Sequence, residues 1–126
     1  MKTPRVQSPL QKKIEALMRQ YREEGRWESM ALFSSEGLLM AGEGQSGTYG
    51  EDQLLEFSFS LIELASRFRS GVPVCEITVS GEGGARLVFQ YFDAGSDQLV
   101  LAAVHRGRRG YRRAMQGLIK QIHSIL

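Results

Sequence analysis

With 126 residues, 42% hydrophobic residues and a formal net charge of +2, the chain has the composition of an ordinary globular protein, long enough for one core without metal or disulfide staples. A charge this small does not by itself argue for nucleic acid. Its single cysteine, Cys75, excludes an internal disulfide, no apolar run reaches the about 20 residues needed to cross a bilayer, and MKTPRVQSPL lacks the apolar core of a secretion signal, so a cytoplasmic protein with no membrane partner is expected.

Residues 1–7 carry no periodicity and read as a flexible N-terminal arm, leaving 8–126 as a single domain. Ser8-Pro9-Leu10-Gln11 starts a helix, with Ser8 as cap, Pro9 at the first helical position and Gln11 placed to close a capping box. Leu10, Ile14, Leu17, Met18 and Tyr21 continue it at helical spacing, and Gly25 is expected to end it. From Trp27 to Ala41, the runs MALF and LLMA around Ser34-Ser35-Glu36-Gly37 predict a β-hairpin covered on both sides.

Gly42, Gly44 and Gly47 then match G-x-G-x-x-G in form. A dinucleotide cradle requires a parallel strand-helix-strand unit with an acid ending the second strand, whereas here a hairpin precedes the motif and the acid at a suitable distance, Glu63, falls within a helix. The stretch is therefore expected to be a flexible loop, with no cofactor.

Thr48 to Gly71 predicts a long helix, capped by Thr48 with Glu51 as box partner and stopped by Gly71 and Pro73. At about 100° per residue, Leu54, Phe57, Leu61, Ala65 and Phe68 face one surface while Leu55, Phe59 and Ile62 face another. Asp52, Gln53, Glu56, Ser60, Glu63 and Arg67 leave only a narrow polar strip, so two partners are implied: the domain's own sheet and a second subunit. Each Leu, Ile or Phe fully removed from water contributes about 1.5–3 kcal/mol, enough for the second flank to drive association.

Three strands follow. Val74 to Ser80 places Cys75, Ile77 and Val79 opposite Glu76, Thr78 and Ser80, as at a sheet edge or subunit boundary. Arg86 to Phe92 sends Leu87, Phe89 and Tyr91 one way and Arg86, Val88 and Gln90 the other, and the wholly apolar LVLAAV run, Leu99 to Val104, belongs at the sheet centre. Between His105 and Arg113 lie Arg106, Arg108, Arg109, Arg112 and Arg113 with no acid among them, after which Tyr111, Met115, Leu118, Ile119, Ile122 and Leu126 repeat at helical spacing. The order helix-strand-strand-helix-strand-strand-strand-helix predicts an α+β domain with a five-stranded, mostly antiparallel sheet and helices on both faces.

That order, with the hairpin ALFSSEGLLMAGEG, the helix LLEFSFSLIELASRF, the strands CEITVSGEGGARLVFQYFDAGSDQLVLAAV and the closing helix YRRAMQGLIKQI, resembles the roadblock (roadblock/dynein light chain) family from about Gln11 onward, and is most similar to its MglB-like members. The resemblance implies a three-layer α-β-α profilin-like sandwich. It also implies a homodimer, or a heterodimer with another roadblock protein, formed through the central helix and the third strand, with an interface at Leu55, Phe59, Ile62, Ser66, Glu76 and Thr78. Members of the family act as adaptors on dynein and as scaffolds or activators of small Ras-like GTPases, so such a GTPase is the expected partner. At His105 to Arg113 the chain departs from the family pattern, in which many members carry a brief apolar or lysine-containing link.

No catalytic constellation is legible. His105 and His123 stand alone without acids or cysteine at metal-ligand spacing, Cys75 is expected to be buried packing, and no Ser-His-Asp order is visible, so neither enzyme activity nor a metal is expected. Arg106, Arg108, Arg109, Arg112 and Arg113 are the partner-binding candidates, and polyanion or nucleic-acid binding through them, or small-molecule sensing, are the alternative functions. For single-stranded nucleic acid, only Tyr111 is interleaved for stacking.

Overall fold

The structure, a computed structural model, describes residues 8–65, 67, 75–106 and 110–126. Helix α1 (Pro9–Gly25) opens where expected: the Gln11 N–H donates to Ser8 Oγ at 3.1 Å. The Gln11 side chain turns forward to Glu15 Oε2, which also accepts the Gly42 N–H at 2.9 Å and so ties the helix to the sheet. The helix ends at Gly25 as expected, although the left-handed cap conformation falls on Arg26, at φ 56°, rather than on the glycine. Gly25 is needed for space: a Cβ there would lie 2.6 Å from the Trp27 indole nitrogen.

Strands β1 (Trp27–Ser34) and β2 (Leu39–Gly44) form the expected antiparallel hairpin. In its turn the Gly37 N–H donates to the Ser34 carbonyl at 3.0 Å with Gly37 at φ 88°, a region glycine enters without steric cost. Helix α2 (Glu51–Ala65) begins later than Thr48 suggested. The Thr48 and Tyr49 N–H groups both donate to Ser46 Oγ, and it is the Gly50 N–H that donates to the side chain of a residue three ahead, Gln53 Oε1 at 3.1 Å. The box geometry is thus displaced by two residues, because Ser46 holds the preceding turn.

Strand β3 (Glu76–Ser80) leads through a short 3-10 turn at Glu82–Gly84 to β4 (Ala85–Ala94), β5 (Asp97–Arg106) and α3 (Arg112–Ile125). The sheet order is β2-β1-β5-β4-β3, every neighbouring pair antiparallel, with the LVLAAV strand in the centre as its unbroken apolar pattern requires. Alternation along the strands divides two cores. Ile14, Met18, Met115, Leu118 and Ile122 of α1 and α3 cover Met30, Leu32, Val88, Leu99, Leu101 and Ala103, while Leu54 of α2 packs on Ala31, Phe33, Phe89, Val100 and Ala102 of the other face. The result is the three-layer α-β-α arrangement, with α1 and α3 on one side and α2 on the other.

Two expectations are corrected. The hairpin is not covered on both sides throughout, because β2 is an edge strand whose Leu39 and Met40 are only half-buried. Cys75 is exposed rather than buried, since it precedes β3 at the other edge of the sheet. The expected arm, residues 1–7, lies outside the described residues, as do Ser66, Phe68, Gly71, Pro73, Val74, Arg108 and Arg109.

Candidate functional site

Helix α2 is apolar beyond what its own sheet covers. Of its described side chains Leu54 and Ser58 are fully buried, while Leu55, Phe57, Leu61 and Ile62 are half-buried against the sheet. Phe59 and Leu64 remain 42% and 54% exposed. The division differs in detail from the two faces expected. Leu55 and Ile62 lie along the margin of the buried stripe, about 80–100° round from Leu54, so they touch their own core as well as solvent. Phe59 projects furthest on that flank, its ring near the hairpin turn, where a Cβ on Gly37 would lie 3.3 Å away. Leu64, on the opposite flank, is exposed apolar surface that the sequence pattern left unassigned.

A polar contact across the layer anchors the helix: the Tyr91 hydroxyl donates to the Ser58 carbonyl at 2.8 Å. Burial pushes the Tyr91 phenol up to about 12, so it remains a donor at any ordinary pH. Helical spacing alone cannot reveal this anchor, because the acceptor is a backbone carbonyl and the donor comes from a strand 33 residues on.

On the α2 side of the sheet, β3 presents Ile77 and Val79, the partners in register of Phe89 and Leu87. Val79 is 41% exposed, and among the described residues β3 has β4 as its one neighbour, so its outer backbone groups form an open edge. Glu76 and Thr78 point to the other face. Glu76 accepts from Gln90 Nε2 and pairs with Arg112 at 3.5 Å, and the Thr78 and Tyr111 hydroxyls are 2.8 Å apart. Any contribution of these two residues to pairing along β3 therefore runs through their backbone.

The described members of the arginine set are separated by the fold. Arg106 is held by Glu28, which also accepts from Ser46 Oγ at 2.9 Å. Arg112 and Arg113 occupy the exposed first turn of α3, which contains no acid. They are joined by Arg86, whose guanidinium lies 5.8 Å from the centre of the Tyr111 ring. The sequence did expose Arg86: it alternates with Leu87 and falls in register with Ser80, but only the strand pairing brings it beside α3.

The sequence matches no family model and shows no significant match to a curated protein. Solved structures do match. Myxococcus xanthus MglB superposes with a TM-score of 0.68 at 16% identity, covering 98% of this chain and 90% of that one. A roadblock/LC7 domain from Streptomyces avermitilis gives 0.69 at 20% identity, covering 88% and 92%. The chain has the roadblock fold. Its profilin-like architecture extends further, to a chain of a LokiProfilin1–rabbit actin complex at a TM-score of 0.58 and 13% identity, covering 94% of this chain and 100% of that one.

Within this roadblock fold the glycine motif is structural. Gly42 and Gly44 lie in β2, and the Gly42 N–H is committed to Glu15. Gly44 has φ 79°, and a Cβ on it would lie 2.5 Å from the Glu28 carbonyl oxygen. The flexible loop expected there is thus in part strand. The cleft beneath the start of α2, about 390 Å³, is open and lined by polar groups including Ser29, Gln45, Ser46 and Glu51. An apolar cavity beside Phe59 and Ile62 measures about 150 Å³, small for an organic ligand. Among the described residues no three His, Cys, Asp or Glu side chains converge as metal ligands, and no helix is long and apolar enough to cross a membrane.

Proposed function

We propose that the chain is a non-enzymatic roadblock-type adaptor that pairs with a second copy through α2 and β3 and, as a dimer, binds and regulates a small Ras-like GTPase. The observation that carries the pairing is the coincidence, on one side of the sheet, of an under-covered apolar helix and an open apolar-faced edge strand. Continuing the sheet through β3 satisfies the edge and places a second α2 where the exposed flank of the first can be covered. The two MglB-like and LC7 structural likenesses, together with the sequence resemblance, support the GTPase as the partner class. The protein contributes surface rather than reacting groups, orienting the GTPase's own machinery or stabilising one of its nucleotide states.

The test uses small Ras-like GTPases from the same source, loaded with GDP or a non-hydrolysable GTP analogue. Binding that depends on the nucleotide, or faster GTP hydrolysis on mixing, is the expected result. The absence of both for every such GTPase would remove this function while leaving the fold untouched.

A further inference from the structure

We propose that the groove between β3 and the start of α3 binds an acidic polypeptide segment, an extended run of Asp and Glu side chains. The groove has a volume of about 640 Å³ and is lined by Thr78, Ser80, Arg86, Tyr111, Arg112 and Arg113. Strand alternation sends Thr78, Ser80 and Arg86 to this face, and α3 supplies Tyr111 as its N-cap and Arg112 and Arg113 as its first residues. The floor is fixed, because Tyr111 is buried and its hydroxyl is 2.8 Å from that of Thr78.

The charge here is unbalanced. Among the described side chains, three guanidinium groups meet one rim carboxylate, Glu76, which lies 3.5 Å from Arg112 and also accepts from Gln90. Among the described residues no ion pair joins Arg86 or Arg113, and the Arg86 charge adds to burial in disfavouring protonation of His105, its partner in register. Placing Arg112 and Arg113 at the positive end of a helix dipole opposes the usual preference for acids there, and an anionic partner reverses that penalty.

The same geometry selects the kind of anion. The guanidinium groups are spread along an open groove with Arg112 exposed, rather than converging on one enclosed point, which suits several carboxylates better than a single phosphate. Single-stranded nucleic acid needs an aromatic face on which to stack, but Tyr111 is 7% exposed. A membrane surface would gain no apolar anchor, since the lining is polar and basic apart from buried Tyr111. The lining side chains leave β3 on the α3 side, so edge pairing along β3 keeps the groove open and the inference does not depend on the GTPase.

A short fluorescein-labelled Glu/Asp peptide titrated with the full chain, read by fluorescence anisotropy, tests this. Binding at low salt that weakens steeply as salt rises is expected, with about a ten-fold loss in the Arg112→Ala/Arg113→Ala double variant, as for two exposed ion pairs of ordinary strength. Arg113→Glu should abolish binding, and far-UV circular dichroism should report both variants folded, since the substituted side chains are exposed. No peptide binding at low salt, or undiminished binding to the folded variants, overturns the proposal. So does tighter binding of a labelled oligothymidylate or of phosphatidylserine vesicles, which would assign the groove to nucleic acid or to a membrane.

Discussion

His105 illustrates how a residue without chemistry can set the pH response of the fold. It is 3% exposed, its ring lies 4.5 Å from that of Trp27 and 5.9 Å from that of Tyr111, and its Nδ1 has no hydrogen-bond partner. Desolvation, then the charge of Arg86, lowers its pKa below the ordinary 6.5, with the Gly25 backbone partly opposing. Well above 6.5 neither the folded nor the unfolded state carries the proton, and the titration of the imidazole has no effect on stability. As pH falls below 6.5 the unfolded chain takes up a proton that the folded one resists, so stability declines until the lowered folded value is reached. The thermal midpoint should therefore fall on acidification from about pH 7.5 to 5.5, with a shallower slope in His105→Asn, measured by calorimetry across that range. Gly44 is constrained by space as well as conformation. Gly44→Ala should cost about 1–3 kcal/mol in a denaturant titration, because the left-handed backbone and the approach to the Glu28 carbonyl both oppose a side chain.

At the scale of the element, α2 decides whether the chain works alone. Its apolar residues cover too wide an arc for the layer beneath, and the fold leaves the surplus on two flanks, Phe59 on one and Leu64 on the other. Phe59→Glu should yield monomers by light scattering with the helical signal retained, since this side chain already meets solvent. Leu55→Glu, at the margin of the core, should yield monomers or insoluble protein. A stable Phe59→Glu dimer would move the contact to another surface, and dissociation by Leu64→Glu in its place would identify the opposite flank.

For the whole molecule, the sheet is asymmetric in how its edges are protected. The short β2 is tied to α1 through Glu15, whereas β3 has β4 on one side and no neighbour among the described residues on the other. If two copies join there, the β3 amides not bonded to β4 gain partners. Hydrogen exchange should then slow in β3 as protein concentration rises, with β5 unchanged because it is central at any concentration. Exchange in β3 that is indifferent to concentration would place the pairing away from this edge.

The eight elements and the central place of Leu99 to Val104 were legible because period and polarity are local properties of a chain. Capping was legible where it is simple, at Ser8, but not where Ser46 competes for the backbone ahead of α2. By itself the sequence determined that α2 carries more apolar surface than one layer hides, and that arginines gather before and within the start of α3. Only the tertiary structure decided which arginines lie together: strand pairing brings Arg86 from β4 beside Arg112 and Arg113 while Glu28 holds Arg106. It likewise turned the glycine motif into a close approach of two strands. Contacts between residues distant along the chain depend on strand order and register, and these are fixed by the packing of all three layers at once rather than by any single segment.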